Sequence, residues 1–103
     1  MMSDTQDIQQ MESPKIIALI TPIEDEKGNP VAELELSEPS IKEILKMTED
    51  AKKHGGLRAL VLMMCGQTGI DGNTANKIKA RDLNVIEEYY NAFLDRTPKT
   101  SSD

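Results

Sequence analysis

The chain has 103 residues, 38% of them hydrophobic and 29% charged, and its formal net charge is −6. This size accommodates one domain with one modest core, and the composition is typical of a soluble protein. The negative charge argues against non-specific binding to nucleic acid or to an anionic membrane, since both require clustered Lys and Arg.

Cysteine content and the first residues bear on the compartment. Cys65 is the only cysteine, which excludes an intramolecular disulfide and argues against a cysteine-built zinc site. The opening MMSDTQDIQQ contains no base and no apolar run, so we expect no signal peptide. No stretch approaches the roughly 20 apolar residues of a membrane span. A cytoplasmic location is therefore expected.

Both ends of the chain are polar. Residues 1–14 carry three carboxylates and no base, and Pro98 interrupts the last periodic pattern. These features predict disordered tails over 1–14 and 96–103. A single domain is predicted over 15–95.

A β-hairpin is predicted at the start of this domain. The apolar run Ile16–Ile20 is rich in β-branched residues and lies between two prolines, and a turn-forming GNP follows at 28–30. The next segment alternates strictly, which predicts a half-buried strand. Its predicted inner face comprises Ala32, Leu34 and Leu36, and its outer face Glu33 and Glu35. Because a lone hairpin is marginal in water, we expect a helical layer on its apolar face.

The first helix is marked by its ends. Ser40 and Glu43 have the spacing of a capping box, in which each side chain bonds the other residue's N–H. Gly55 and Gly56 are expected to end the helix. The stripe predicted to face the core comprises Ile41, Ile44, Leu45, Thr48 and Ala51.

The second helix is apolar nearly all round. In LRALVLMMC, residues 57–65, only Arg58 is charged. Such a helix is buried on more than one side, so we place it centrally, ending at Gly66 and Gly69. Its predicted main face comprises Leu57, Leu60, Val61 and Met64, with Leu62, Met63 and Cys65 covering much of the rest. We hypothesise that this helix holds more apolar surface than so small a fold can bury, and that the surplus binds another polypeptide.

The last helix follows a loop with a single helical turn in DGNTANKI. Asp82 is predicted to cap this helix, DLNVIEEYYNAFL. Its predicted buried face comprises Leu83, Ile86, Tyr90 and Phe93, flanked by Val85 and Tyr89. The fold class is therefore α+β, an N-terminal hairpin packed on a bundle of three helices.

The residues that could carry chemistry are few. His54 is the only histidine and is expected to complement the dipole at a helix C-terminus. Cys65 lies in the apolar helix, where burial should raise its pKa. Residues 71–82 depart from the calcium-loop pattern, because Ala75 stands at a ligand position and Asp82 replaces the bidentate Glu. We predict no enzyme, no catalytic residue, no cofactor and no metal site, which leaves a binding protein.

The spacing of several short motifs resembles the phage tail assembly chaperones of Mu-like and P2-like contractile-tailed phages. The first half matches in a proline-ended strand, a glycine turn, V-x-E-L-x-L and a Glu-Pro-Ser leading into a helix. The matching residues are Pro22, Gly28, Val31, Glu33, Leu34, Leu36, Glu38, Pro39 and Ser40. The second half matches at Thr68-Gly69-Ile70, Asp82 and Phe93. The chain departs from the family at three positions. Ser37 stands where the family usually has a basic residue, Ser40 where it has Thr, and Ile70 where it has Leu.

The resemblance covers residues 16–95 and implies a function. Such chaperones bind the long, aggregation-prone tape measure protein before the tail tube polymerises around it, and they are absent from the finished virion. It implies the host cytoplasm as the location and the tape measure protein as partner, with the tail tube protein as a second candidate.

Methionine and tyrosine side chains suit a contact surface, because a flexible thioether repacks against varied partners. The candidate partner-binding residues are Met47, Leu57, Met63, Tyr89 and Tyr90. The alternative is that the methionines fill a core poor in aromatics and that one of the two tyrosines is buried. The free edge of the hairpin is a further candidate for pairing.

A second class of function stays open at this point. A small acidic phage or prophage regulator, or an inhibitor of a host protein, would present a contiguous acidic face. A surface mixing Lys and Glu would count against it. The oligomeric state also stays open, a homo-oligomer included.

Overall fold

The structure, a computed structural model, describes residues 12–94 as a two-stranded antiparallel hairpin followed by four helices. The predicted α+β class is confirmed. The elements are β1 (Lys15–Glu24), β2 (Pro30–Leu36), α1 (Ile41–His54), α2 (Gly56–Thr68), α3 (Gly72–Ala75) and α4 (Ala80–Leu94). The predicted tails, 1–14 and 96–103, lie outside the described residues except for 12–14.

The hairpin turns one face to the helices. Its strands pair from Lys15 opposite Leu36 to Glu24 opposite Pro30, and Ile17 lies opposite Leu34. Leu34 and Leu36 are buried as predicted, and both glutamates of β2 are exposed. Helices α2 and α4 supply the layer that covers this face.

A register shift breaks the predicted alternation near the turn. The shift lies between Ala18 and Ile23 of β1. Ala32, predicted to face the core, is exposed, and Val31 is half-buried instead. The prediction for Ala32 was wrong because a bulge changes which residues face inward, and strict alternation along one strand does not reveal it.

Asp82 binds the bulge of β1, a role that the sequence did not predict for it. Asp82 was predicted as an N-cap, but α4 begins at Ala80 and Asp82 lies in its first turn. Its carboxylate accepts hydrogen bonds from the Ile20 N–H (2.7 Å) and the Thr21 N–H (3.0 Å). Both donors lie in the part of β1 that has no partner on β2. Asp82, only 1% exposed, thus joins α4 to β1.

Helix α1 begins as predicted but faces another way. The Glu43 N–H donates to Ser40 Oγ (3.1 Å) and the Ser40 N–H donates to Glu43 Oε1 (2.9 Å), which confirms the capping box. However, Ile41 and Leu45 are 76% and 63% exposed. Thr48 is also exposed, whereas Ile44 and Ala51 are half-buried, so the predicted core stripe was wrong for three of its five residues.

The orientation of α1 follows from its packing on α2. Gly55 alone separates the two helices, with φ of 93°, so the chain reverses immediately. The side of α1 toward α2 carries Glu43, Met47 and the buried Asp50, whose carboxylate pairs with Lys46 Nζ at 3.3 Å. The opposite side of α1 is left to solvent.

Helix α2 is central, as predicted. It contacts α1, β2 and α3. Its buried residues are Ala59, Leu60, Met63 and Met64, whereas Leu57 and Leu62 remain exposed. It ends at Gly69 in the left-handed conformation, and Gly66 lies within it.

Helix α4 completes the core with its aromatic side chains. Ile86, Tyr89 and Tyr90 are buried, while Leu83 and Phe93 are half-buried. Tyr89 packs edge-on against both Tyr90 and Phe93, with ring centroids 5.7 and 5.2 Å apart. The buried face of α4 therefore includes Tyr89, which was predicted only to flank it.

We expect Asp82→Asn to destabilise the protein by about 1–3 kcal/mol, since the amide oxygen replaces a charged acceptor of two β1 hydrogen bonds and leaves one part-buried N–H unpaired. Asp82→Ala, which removes both acceptors, should cost more. Urea unfolding measures both, with the exposed Glu88→Gln on the same helix as the control, expected within about 0.5 kcal/mol of the parent. Equal stability of the parent and Asp82→Asn would contradict the role of this carboxylate.

Candidate partner-binding surface

An open groove of about 630 Å³ runs between α1 and α2. Its apolar lining comprises Met47, Ala59, Leu62, Met63 and Gly66, and its polar lining Lys42, Glu43, Lys46, Asp50 and His54. A groove lined by both apolar and charged side chains can accept an amphipathic helix. We call this depression the α1–α2 groove.

A second depression, of about 400 Å³, lies on the other side of α1. Leu57 and Leu60 of α2 contribute to it, and Glu87, Asn91 and Leu94 close it from α4. Met47 lines both depressions. Helix α1 therefore lies between two partly apolar depressions that share one flexible methionine.

The side chain of Gln67 supports the α1–α2 groove by hydrogen bonds to neighbouring elements. Its Oε1 accepts from the Tyr90 hydroxyl (2.6 Å) and from the Ser37 N–H (3.0 Å). Its Nε2 donates to the Ser37 carbonyl and to Glu43 Oε2, both at 3.2 Å. One side chain thus connects α4, the end of β2 and the first turn of α1, which sets the position of α1 on α2.

Burial dominates the electrostatics of this network. Burial raises the pKa of the Tyr90 phenol above its ordinary value, and the nearby Glu43 carboxylate acts in the same direction. Burial also raises the pKa of the Cys65 thiol, as expected from the sequence. A protonated Tyr90 keeps its hydroxyl available as a donor to Gln67.

The structure separates the predicted contact residues into two groups. Met47 is half-buried and Leu57 is exposed, and both line depressions at the surface. Met63 is buried, although it contributes to the lining of the α1–α2 groove. Tyr89 and Tyr90 lie in the core.

Tyr90 was predicted on the buried face of the last helix with Tyr89 beside it, and both were candidates for partner binding because one of the two was expected to be exposed. Instead both hydroxyls find partners inside the fold. The Tyr89 hydroxyl donates to the Glu12 carbonyl (2.7 Å), and the Tyr90 hydroxyl donates to Gln67. A buried ring with a bonded hydroxyl is not available to a partner.

Sequence reasoning missed several apolar surface residues, three of which lie on α1 and α2. Leu62 lines the α1–α2 groove, and Ile41 and Leu45 lie on the exposed side of α1. For Leu62 a signal existed, since a helix apolar on every side cannot bury every position in a domain of this size.

The edge of β2, also a candidate, borders a depression of about 500 Å³. Residues 30–35 form one side, and Gln67, Thr68 and Ile70 the other. Its lining is more polar than that of the α1–α2 groove. We therefore regard the α1–α2 groove as the principal candidate site.

Within residues 12–94, no three His, Cys, Asp or Glu side chains are grouped so that they could hold a metal ion. In the same part of the chain, no helix is both long and apolar enough to cross a bilayer. Asp71, which begins the calcium-like segment, caps α3 by accepting from the Thr74 N–H (2.7 Å).

Comparison with protein-family models, with curated proteins and with solved structures found no match to this chain.

The raised pKa of Tyr90 predicts a loss of stability in alkali. The folded state holds this proton at a pH where an unfolded tyrosine releases it, so the free energy of unfolding should fall as the pH rises above about 10. Tyr90→Phe should cost about 1 kcal/mol at neutral pH through the lost hydrogen bond, and its stability should fall less steeply above pH 10. Urea unfolding across this pH range tests it; parallel pH profiles of the two proteins would contradict it.

Proposed function

We propose that this chain is a non-enzymatic tail assembly chaperone. In this proposal it binds the tape measure protein in the cytoplasm of the bacterial host, keeps it soluble until the tail tube polymerises, and does not remain in the virion. The motif resemblance across residues 16–95 supports this function. The tail tube protein is a second candidate partner.

The observation that carries the proposal is the α1–α2 groove. Met47 and Met63 line it together with the exposed Leu62. Methionine side chains adapt to different apolar partners, which suits a protein that must hold several segments of a long chain. A helical segment of the partner would place its apolar stripe in this groove.

Charge supports the same function in a different way. A holding chaperone must stay soluble while its partner is prone to aggregate, and a net charge of −6 favours solubility. The regulator alternative is less well supported, because lysines interrupt the acidic surface at Lys42, Lys46, Lys52 and Lys53 of α1, all of them exposed.

Co-expression with the tape measure protein from the same genome tests the proposal. We expect the soluble fraction of that protein to rise several-fold with the parent chain and to fall back with Leu62→Glu, which places a charge in the groove. Val85→Glu is the matched control, because Val85 has nearly the same exposure but lies on α4, away from the groove residues. Circular dichroism establishes that both variants fold.

The outcomes are distinct. A tape measure protein that stays equally insoluble with and without the chain would refute the function. Equal rescue by the parent and by Leu62→Glu would refute the site and leave the function standing.

A further inference from the structure

The buried residue of α1 is a carboxylate. Among residues 41–54, Asp50 alone is buried, at 9% exposure. It belongs to the lining of the α1–α2 groove, together with the apolar side chains of Met47, Leu62 and Met63. A charge removed from water is costly unless it is paired and hydrogen-bonded. The partners of this carboxylate therefore decide what the groove can bind.

Lys46 is the partner of Asp50, and their contact is long. Both carboxylate oxygens accept from the same ammonium group, each at 3.3 Å, whereas strong charge-assisted bonds measure about 2.7–2.9 Å. The Lys46 side chain is 74% exposed, and ion pairs of this exposed kind contribute little to stability. Within residues 12–94, no other donor bonds the Asp50 carboxylate. Its two oxygens, with about four acceptor positions between them, retain unused capacity.

The other carboxylate in the lining of the groove is already engaged. Glu43 Oε1 accepts from the Ser40 N–H (2.9 Å), and Glu43 Oε2 accepts from Gln67 Nε2 (3.2 Å). These bonds hold the start of α1 and its position on α2. In the part of the chain that the structure describes, Asp50 makes no hydrogen bond beyond its own helix. Asp50 is thus the carboxylate of this groove that can accept a donor from a partner.

We propose that the α1–α2 groove binds a helix whose apolar stripe contains one arginine, and that Asp50 pairs with this arginine. A guanidinium presents two N–H groups to the two carboxylate oxygens, whereas a lysine is a point charge. On binding, Lys46 leaves Asp50 and its ammonium group stays in water. The inference rests on the proposed function for its choice of groove, and it names the chemistry of the helix that this groove accepts.

The bound helix itself makes the pairing selective. When the helix covers the groove, water is removed from Asp50, which strengthens its attraction to a cation and raises the cost of leaving it unpaired. A helix with only apolar side chains in its stripe offers no such cation, and one with an acidic side chain adds repulsion. Asp50 therefore acts against these helices as well as in favour of the arginine-bearing one.

Two helical peptides of equal composition test the pairing on the full chain. The wall of the groove from Lys42 to His54 is about 18 Å long, so a peptide of about 16 residues spans it. Both peptides carry leucines at i, i+3, i+4 and i+7. The first has arginine within this stripe and glutamine on the opposite face, and the second has the two exchanged. Fluorescence anisotropy should give the first a dissociation constant about ten-fold lower, although the peptides have the same charge.

Two pairs of variants locate the effect in this chain. Asp50→Asn should abolish the preference, whereas Glu49→Gln should preserve it, because Glu49 is exposed and outside the lining of the groove. Lys46→Gln removes the competing cation and should tighten binding of the first peptide several-fold. Lys53→Gln, an equal change of charge at an exposed residue outside the lining, should not. An ion pair that served only the fold would weaken binding when either partner is removed, so opposite effects of Asp50→Asn and Lys46→Gln are specific to this proposal.

The results decide between the two proposals as well. Equal binding of the two peptides by the parent, or binding of neither at about 1 mM, would overturn the arginine pairing. A preference that survives Asp50→Asn, in a variant that circular dichroism shows to be folded, would overturn it too; if this variant does not fold, the response to Lys46→Gln decides. The peptides contain no tape measure sequence. Discrimination between them without rescue in co-expression would therefore support this inference and refute the proposed function, and rescue without discrimination would do the reverse.

Discussion

The fold depends on one buried carboxylate. Asp82 on α4 binds two backbone N–H groups of β1 that lie 61 and 62 residues earlier in the chain. Removing a charge from water is costly, and here two short hydrogen bonds offset that cost. The bulge leaves those N–H groups without partners on β2, and the Asp82 carboxylate accepts their hydrogen bonds instead. Because a two-stranded hairpin is marginal by itself, this link lets the hairpin serve as one wall of the core.

Gln67 makes the corresponding link on the other side of the molecule. It ties the end of β2 and Tyr90 to Glu43, the residue that also closes the capping box of α1. Glu43 thus uses one carboxylate oxygen for the capping box and the other for the contact with Gln67. This arrangement explains why α1 turns Glu43, rather than Ile41, toward α2.

The elements that local chemistry specifies were predictable from the sequence, and the contacts between them were not. The capping box, the hairpin and the central position of α2 each follow from a few neighbouring residues. The exposure of Ala32 and Leu45 follows from partners distant in the chain, the bulge of β1 and Gln67, which periodicity does not encode. The candidate site divides in the same way. Leu57 and Met47 were found by type and spacing, whereas Leu62 and the burial of both tyrosines required knowledge of the packing.

The surplus of apolar surface expected on α2 exists, but much of it lies elsewhere. Helix α2 buries four of its eight apolar side chains and leaves only Leu57 and Leu62 exposed, and the most exposed apolar side chains of residues 12–94 belong to β1 and α1. On α1 the surplus is divided between two sides: Met47 points into the α1–α2 groove, and Ile41 and Leu45 point away from α2. A partner helix in the groove would therefore cover Met47 and leave Ile41 and Leu45 in solvent. Binding a partner in the groove thus accounts for only part of the exposed apolar surface of this helix.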